Sequence, residues 1–427
     1  MQNLSERDRL HIWHPLTQHK THPDSLGISR AQGVYLYDEA GNAYIDAISS
    51  WYTAVYGHCH PYITGQVSLQ MQQLDQIVFS GLTHEPAVRL SERLIAALPS
   101  GQQKVFFSDN GSTAVEVAIK MALQFHFNRG DGKNVLLALE EGFHGDTFGA
   151  MSVSGLSVYN GPFEGLTLEV RRLPAPMSDR VEGLLAEADR LTADGRVAAL
   201  VYEPLVQGAA AMKMHHPGGL DALLRHLRAK GVLLIADEVM TGFGKTGTLF
   251  ASEQLQTPPD LICLSKALTA GLLPMGVTSC SQEVFDAFCS EEVARGFFHG
   301  HTYTANPLAC RAALAGLDLL ESPGIREGIA RIMGAHAAFD RRIQGHPLVR
   351  SSRQCGVIYA LDLEVDTSRY GNFRDEVFDF FMQRGIYLRP LGATVYFLPP
   401  YVIGGEELNR LYAAMEELLA YLSRKKT

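Results

Sequence analysis

The sequence lacks the features that would tie it to a membrane, an oxidising compartment or a nucleic acid. No apolar stretch reaches the roughly 18 to 20 residues that a membrane-crossing helix needs. The opening segment, MQNLSERDRLHIWHP, carries charges and no apolar run, so no secretory signal is expected there. Six cysteines (Cys59, Cys263, Cys280, Cys289, Cys310 and Cys355) lie scattered without a Cys-x-x-Cys pair. That excludes a dense disulfide framework and fits free thiols in a reducing compartment, so a cytoplasmic protein is expected. Like charges form no block apart from Arg424-Lys425-Lys426, and the net charge of −9 offers no basic face to a nucleic acid. Internal repeats and low-complexity segments are absent too. The pairs in Gly57-His58-Cys59-His60 and His299-Gly300-His301 complete no metal-ligand set, so no metal is expected.

What remains is an ordinary globular composition. With 427 residues, 46% of them hydrophobic, the chain can build one large core and a smaller satellite domain. Short β-rich runs recur at 104–108, 135–139, 198–202, 232–236 and 261–264. Most are continuously apolar instead of alternating, as strands of a parallel sheet covered on both faces would be. Helical patterns lie between them. Over 113–125, Ala114, Val117, Ala118, Met121 and Ala122 share one face, and 221–230 reads as a helix closed by Gly231. The fold class expected is α/β, with a large domain built on a mainly parallel sheet and a smaller α+β domain.

The character changes near residue 312. A helical stretch at 310–320 leads to strand-like segments at 356–363 and 387–390, and an amphipathic helix runs from Glu406 to the end. Its apolar stripe is Leu408, Leu411, Met415, Leu418 and Leu422. The expected organisation is therefore a large domain over 61–312 and a small domain over 313–427. Residues 1–60, which include the strand-like 33–38, are expected to pack with the small domain and a dimer interface.

Two apolar runs end in chemistry. VLLIADEV (232–239) ends in Asp237 and Glu238, and LICLSKAL (261–268) ends in Ser265 and Lys266. Ligands of open α/β sheets gather at the carboxyl ends of strands. Asp237 and Lys266 lie 266 − 237 = 29 residues apart, the length of one crossover unit. An aldehyde cofactor needs this pair. A lysine whose ammonium is hard to keep charged condenses with the aldehyde. A carboxylate against a pyridine nitrogen keeps that nitrogen protonated. Either residue alone is more often structural; the two together define a candidate site. The strand, turn and helix at 104–120 place Gly111 and Ser112 at a helix start, where amides and a hydroxyl bind anions. Over 141–152, Phe143 is placed to lie against a flat ring, and His144 and Asp146 either serve the site or pack a loop. The sequence GFGKTG (242–247) is a decoy. A phosphate-binding loop would need glycine at position 239, which is Val239, and no convincing helix follows.

DEVMTGFGKTG (237–247), the Ser265-Lys266 segment, the Gly111-Ser112 turn and HTYTANPLAC (301–310) together resemble the class III aminotransferases over most of the chain. The resemblance implies the fold type I architecture of aspartate aminotransferase, pyridoxal 5'-phosphate as cofactor, and a homodimer acting on small molecules. IWHPLT (12–17), SSWY (49–52), FSGLTHEPAVRL (79–90) and LRPLGATVYFLPPY (388–401) resemble one branch of that family. This branch aminates 8-amino-7-oxononanoate to 7,8-diaminononanoate in biotin biosynthesis. An ω-amino acid or ornithine-type aminotransferase is the alternative. The resemblance implies that Lys266 holds the cofactor covalently and shuttles protons, and that Asp237 pairs with the ring nitrogen. Gly111 and Ser112 would hold the phosphate, and Phe143 would stack. His301 and Thr302 would contribute to cofactor binding, Thr302 from the partner subunit. Trp51, Phe143, Gly300 and Arg389 would line the substrate site, with Arg389 on the oxo-acid carboxylate, and Glu203 would sit near the cofactor. Departures from the branch fall at the substrate-recognition position Leu16, often tyrosine, at Tyr52, often tryptophan, and at Phe143, often tyrosine. Two phenolic hydroxyls are thereby missing. S-adenosylmethionine, the branch's usual amino donor, and lysine, used by some members, both stay open.

Overall fold

The computed structural model describes residues 3–22, 24–155, 161–163, 165–369 and 371–426. At its centre is a seven-stranded sheet. Across it the order is Gln102–Ser108, Gly276–Ser281, Leu261–Leu264, Leu233–Asp237, Val197–Tyr202, Val135–Leu139 and Val170–Leu173. Gly276–Ser281 runs antiparallel to both of its neighbours, and the other paired strands are parallel. This is the α/β class expected from the continuously apolar runs, and the burial pattern gives the reason. Along each strand, side chains alternate between two apolar layers. Leu136, Ala138, Ala199, Val201, Ile235, Leu261 and Cys263 face the layer that includes the helix Gly111–Arg129. Leu137, Leu200, Tyr202, Leu234, Ala236, Ile262 and Leu264 face the other. With both faces covered, no position along a central strand has to be polar.

The helix expected over 113–125 spans Gly111–Arg129, with Ala114, Val117, Ala118, Met121 and Ala122 all buried. The helix expected over 221–230 begins earlier, at Pro217, and runs to Ala229. Proline fits a first helical turn because its missing N–H would be unpaired there, and a ring nitrogen of His216 accepts from the Gly219 amide as the cap. Gly218 and Gly219 disguised that first turn in the sequence. The final helix, Gly405–Lys426, buries its predicted stripe from Leu408 to Leu422.

Outside the central sheet, Val349–Cys355, Ile358–Leu363 and Thr394–Phe397 form an antiparallel sheet. Near the N-terminus, Ile28–Gln32, Tyr35–Asp38 and Ala43–Asp46 form a meander whose last strand pairs in parallel with Ile386–Tyr387. The strand expected over 387–390 therefore stops at Tyr387. Its partner strand ends at Asp46 and turns away, so Leu388–Pro390 have no edge to pair with. The helix Pro307–Leu320 runs unbroken through residue 312.

One close approach ties the sheet to the start of the long helix. A Cβ on Gly276 would lie 2.2 Å from the carbonyl oxygen of Asn110 and 2.5 Å from Ser108 Oγ. Asn110 caps the helix, its side-chain oxygen accepting from the Thr113 amide at 2.9 Å. Gly276→Ala is expected to push this turn away and cost about 1–3 kcal/mol of stability, measurable as a lowered thermal midpoint.

Candidate active site

The carboxyl ends of three strands of the seven-stranded sheet open into one cavity of about 580 Å³. Asp237 is the last residue of its strand, Lys266 follows Leu261–Leu264 by two positions, and the turn after Ser108 delivers Gly111 and Ser112. All four line the cavity, together with Leu16, Trp51, Tyr52, Phe143, His144 and Glu203.

Asp237 is buried, and its carboxylate is held at both oxygens. Oδ1 accepts from the Val239 amide at 3.0 Å, and Oδ2 lies 2.7 Å from Nδ1 of the fully enclosed His144. Burial disfavours a charged His144, but the hydrogen bond to Asp237 and its charge outweigh burial, so the imidazole pKa is raised. His144 is fixed in turn by its own amide, which donates to Ser154 Oγ at 2.9 Å. Asp237 thus stands ready to act on a group in the cavity while its geometry is set from behind.

Lys266 sits on left-handed backbone, with φ of 49°. Ser265, just before it, is tied to the Met275 carbonyl by a 2.6 Å hydrogen bond from its hydroxyl. The lysine is half-buried at the cavity wall, and desolvation lowers its pKa against the opposing charges of Asp237 and Glu203. Its Nζ lies 5.4 Å from the centroid of the Tyr52 ring. A lysine so placed has an enlarged neutral fraction, which is the nucleophilic and proton-accepting form.

At the helix start, Gly111 has no room for a side chain, because a Cβ there would lie 2.7 Å from Val239 Cγ1. Ser112 Oγ accepts from the Thr147 amide at 3.0 Å and lies 2.8 Å from Thr147 Oγ1. The first amides of any helix lack partners within it, and their partial positive charge suits a phosphate. Across the cavity, Glu203 accepts from the Gly208 amide at 2.9 Å and the Phe143 amide at 3.2 Å, anchoring the loop that carries Phe143.

On the opposite wall, Tyr52 OH donates to Tyr396 OH at 2.9 Å. Arg389 does not line the cavity. Its guanidinium lies over the Trp51 ring, 5.4 Å from the centroid. Gly300, His301 and Thr302 are not brought to the cavity by this chain; the Thr302 carbonyl accepts from Gln76 Nε2 at 2.7 Å. In GFGKTG, the Lys245 side chain is buried and donates to the Gly242 carbonyl at 2.8 Å. Thr147, Arg369 and Tyr396 were not singled out from the sequence. Arg369 lines the cavity and donates to the Ala209 carbonyl, and only folding brings 209 and 369 together.

A lysine with a lowered pKa, a buried carboxylate aimed at the same space and a helix start form the donor set that pyridoxal 5'-phosphate requires. The family profile described as Aminotransferase class-III matches residues 16–419, and the chain belongs to that family, whose members depend on this cofactor. More particularly, it is 44% identical to the adenosylmethionine-8-amino-7-oxononanoate aminotransferase of Synechococcus elongatus, covering 96% of this chain and 98% of the relative. Identity to the enzyme of the same name from Helicobacter pylori is 33%, covering 99% of each. A solved structure under that name, from Methanocaldococcus jannaschii, superposes with a TM-score of 0.91 at 32% identity, covering 96% of this chain and 98% of that one.

Glu203 supplies a titration test. Burial raises its pKa to about 7, with His144 opposing the shift and Asp237 adding to it. The folded state then binds this proton more tightly than the unfolded chain does. Its contribution to stability is full below the ordinary glutamate pKa of 4.5 and is lost as pH rises through about 7. Glu203→Gln removes that loss but leaves one backbone amide without an acceptor, a cost of about 1 kcal/mol. Relative to the parent, it should gain roughly 2 kcal/mol between pH 5 and pH 8, measured by denaturant unfolding.

Proposed function

We propose that this chain transfers an amino group to 8-amino-7-oxononanoate, making 7,8-diaminononanoate for biotin biosynthesis, with S-adenosylmethionine as amino donor. The names of the full-length relatives support the substrates. The observation that carries the chemistry is the pairing of Lys266 with the Asp237–His144 couple at the floor of one cavity.

Bound there, pyridoxal 5'-phosphate supplies an aldehyde that exchanges amino groups and a ring that draws electrons from the reacting carbon. Asp237, fixed by His144 and the Val239 amide, holds a proton on the ring nitrogen. Gly111 and Ser112 orient the phosphate at the helix start. Phe143, whose amide is held by Glu203, would lie against the ring. Lys266 Nζ would hold the cofactor and, as a free amine, would take the proton from the donor carbon. In the return half the same nitrogen would deliver a proton to the acceptor carbon. Trp51 packs on the oxo-acid chain, and Arg389, beside its ring, takes the carboxylate with a two-pronged guanidinium. The enzyme works as a homodimer, in which His301 and Thr302 complete the phosphate site, Thr302 from the partner subunit, and Gly300 lines the substrate space.

Product formation with S-adenosylmethionine in a coupled assay is the expected result. Product with lysine alone would reassign the donor, and product with neither would overturn the substrate reading. Lys266→Ala is expected to lose the cofactor's visible absorbance band and the activity. Arg389→Ala should raise KM for the oxo-acid by about 10- to 100-fold, the loss of a charge-assisted pair.

A further inference from the structure

Four consecutive residues that are not glycine, Ser49, Ser50, Trp51 and Tyr52, have φ of 49°, 45°, 64° and 74°. L-residues visit this region singly and at a cost, so a full left-handed turn of four must be imposed by its surroundings. The turn closes on itself through Tyr52 N to Ile48 O at 2.9 Å and Thr53 N to Ser49 O at 2.8 Å. Ser49 Oγ donates to the Leu398 carbonyl at 2.8 Å. At its exit, a Cβ on Gly271, in the loop after Lys266, would lie 2.9 Å from Thr53 Oγ1, so the two segments are in close contact.

The centre of the turn is held by one carboxylate. Asp46 is fully buried. Its Oδ1 accepts from the Ile48 amide at 3.2 Å, and its Oδ2 accepts from Ser50 Oγ at 3.0 Å and lies 2.9 Å from His58 Nε2. A right-handed course at Ser50 would carry the hydroxyl away from Oδ2 and leave a buried carboxylate oxygen short of a partner. A charged acceptor raises the cost of that loss. Ser50, Trp51, Tyr52 and Thr53 all line the cavity; the Tyr52 ring lies 5.4 Å from Lys266 Nζ, and the Trp51 ring lies 5.4 Å from the Arg389 guanidinium, which is itself outside the lining.

We infer that Asp46 is a positioning residue for substrate recognition: through Ser50 it locks the left-handed turn that aims Trp51 and Tyr52 into the cavity. Its effect on substrate binding rests on the proposed function; its effect on the turn does not.

The test separates the two. The chain has two tryptophans, Trp13 and Trp51. In a Trp13→Phe background, emission reports Trp51 alone, in the cofactor-loaded protein. Asp46→Asn is expected to red-shift that emission and to raise KM for the oxo-acid about tenfold, with kcat changed about twofold or less. Ser50→Ala should act in the same direction, about fivefold in KM. Ser50→Gly also lacks the hydroxyl, but glycine adopts left-handed backbone freely, so emission and KM should stay within about twofold of the parent. Unchanged emission in both Asp46→Asn and Ser50→Ala would overturn the lock. Equal impairment of Ser50→Ala and Ser50→Gly would overturn the strain argument. A shifted emission with unchanged KM would overturn the role in recognition. If Asp46→Asn does not fold, the Ser50 pair decides alone. A parent without activity on the oxo-acid would refute the substrate reading and leave the emission results to judge the turn.

Discussion

A carboxylate buried at the end of a central strand must be given partners, and much of this site follows from how Asp237 obtains its own. One oxygen takes a backbone amide two residues on, and the other takes an imidazole from a loop 93 positions earlier in the chain. The second contact fixes the loop that carries Phe143, because His144 is its neighbour and its amide is tied to Ser154. Glu203 secures the same loop from below through the Phe143 amide. The negative charge near Lys266 therefore cannot drift, and the lysine pKa reflects a fixed balance of burial against two carboxylates.

Part of the chain's backbone strain lies at that cavity. The left-handed residues other than glycine that line it are Leu16, Ser50, Trp51, Tyr52 and Lys266. Such conformations persist only where surrounding contacts over-determine them. Here the surroundings are rigid: a sheet covered on both faces by apolar layers, with strand ends that cannot move without disturbing both. The scaffold's stability and the site's geometry are linked in this way. The close approach of Gly276 to Asn110 shows the link at one point, since Gly276–Ser281, a strand paired on both sides, also buttresses the helix start.

The strands were legible because a covered parallel sheet writes itself as continuous apolar runs, and 135–139 and 261–264 coincide with the observed elements. Boundaries were less legible. Gly218 and Gly219 hid a helix start that Pro217 and His216 establish. Residues 388–390 look like a strand but lack a partner, because pairing depends on where Asp46 turns. Asp237, Lys266, Gly111 and Ser112 were legible as a set because each ends or follows a recognisable run. The sequence does not decide between site and packing for His144, since no local pattern marks which carboxylate a loop histidine will meet.

The sequence by itself determined the α/β architecture and the membership in a cofactor-using family. It also placed the lysine and aspartate at neighbouring strand ends, because periodicity and spacing are local properties of the chain. Tertiary structure alone decided the Asp237–His144 contact, the placement of Arg389 over the Trp51 ring, the Tyr52–Tyr396 hydrogen bond and the left-handed turn held by Asp46. Each of these joins segments, or imposes a conformation, against local preference. Only the packing of the whole chain supplies the energy that holds them.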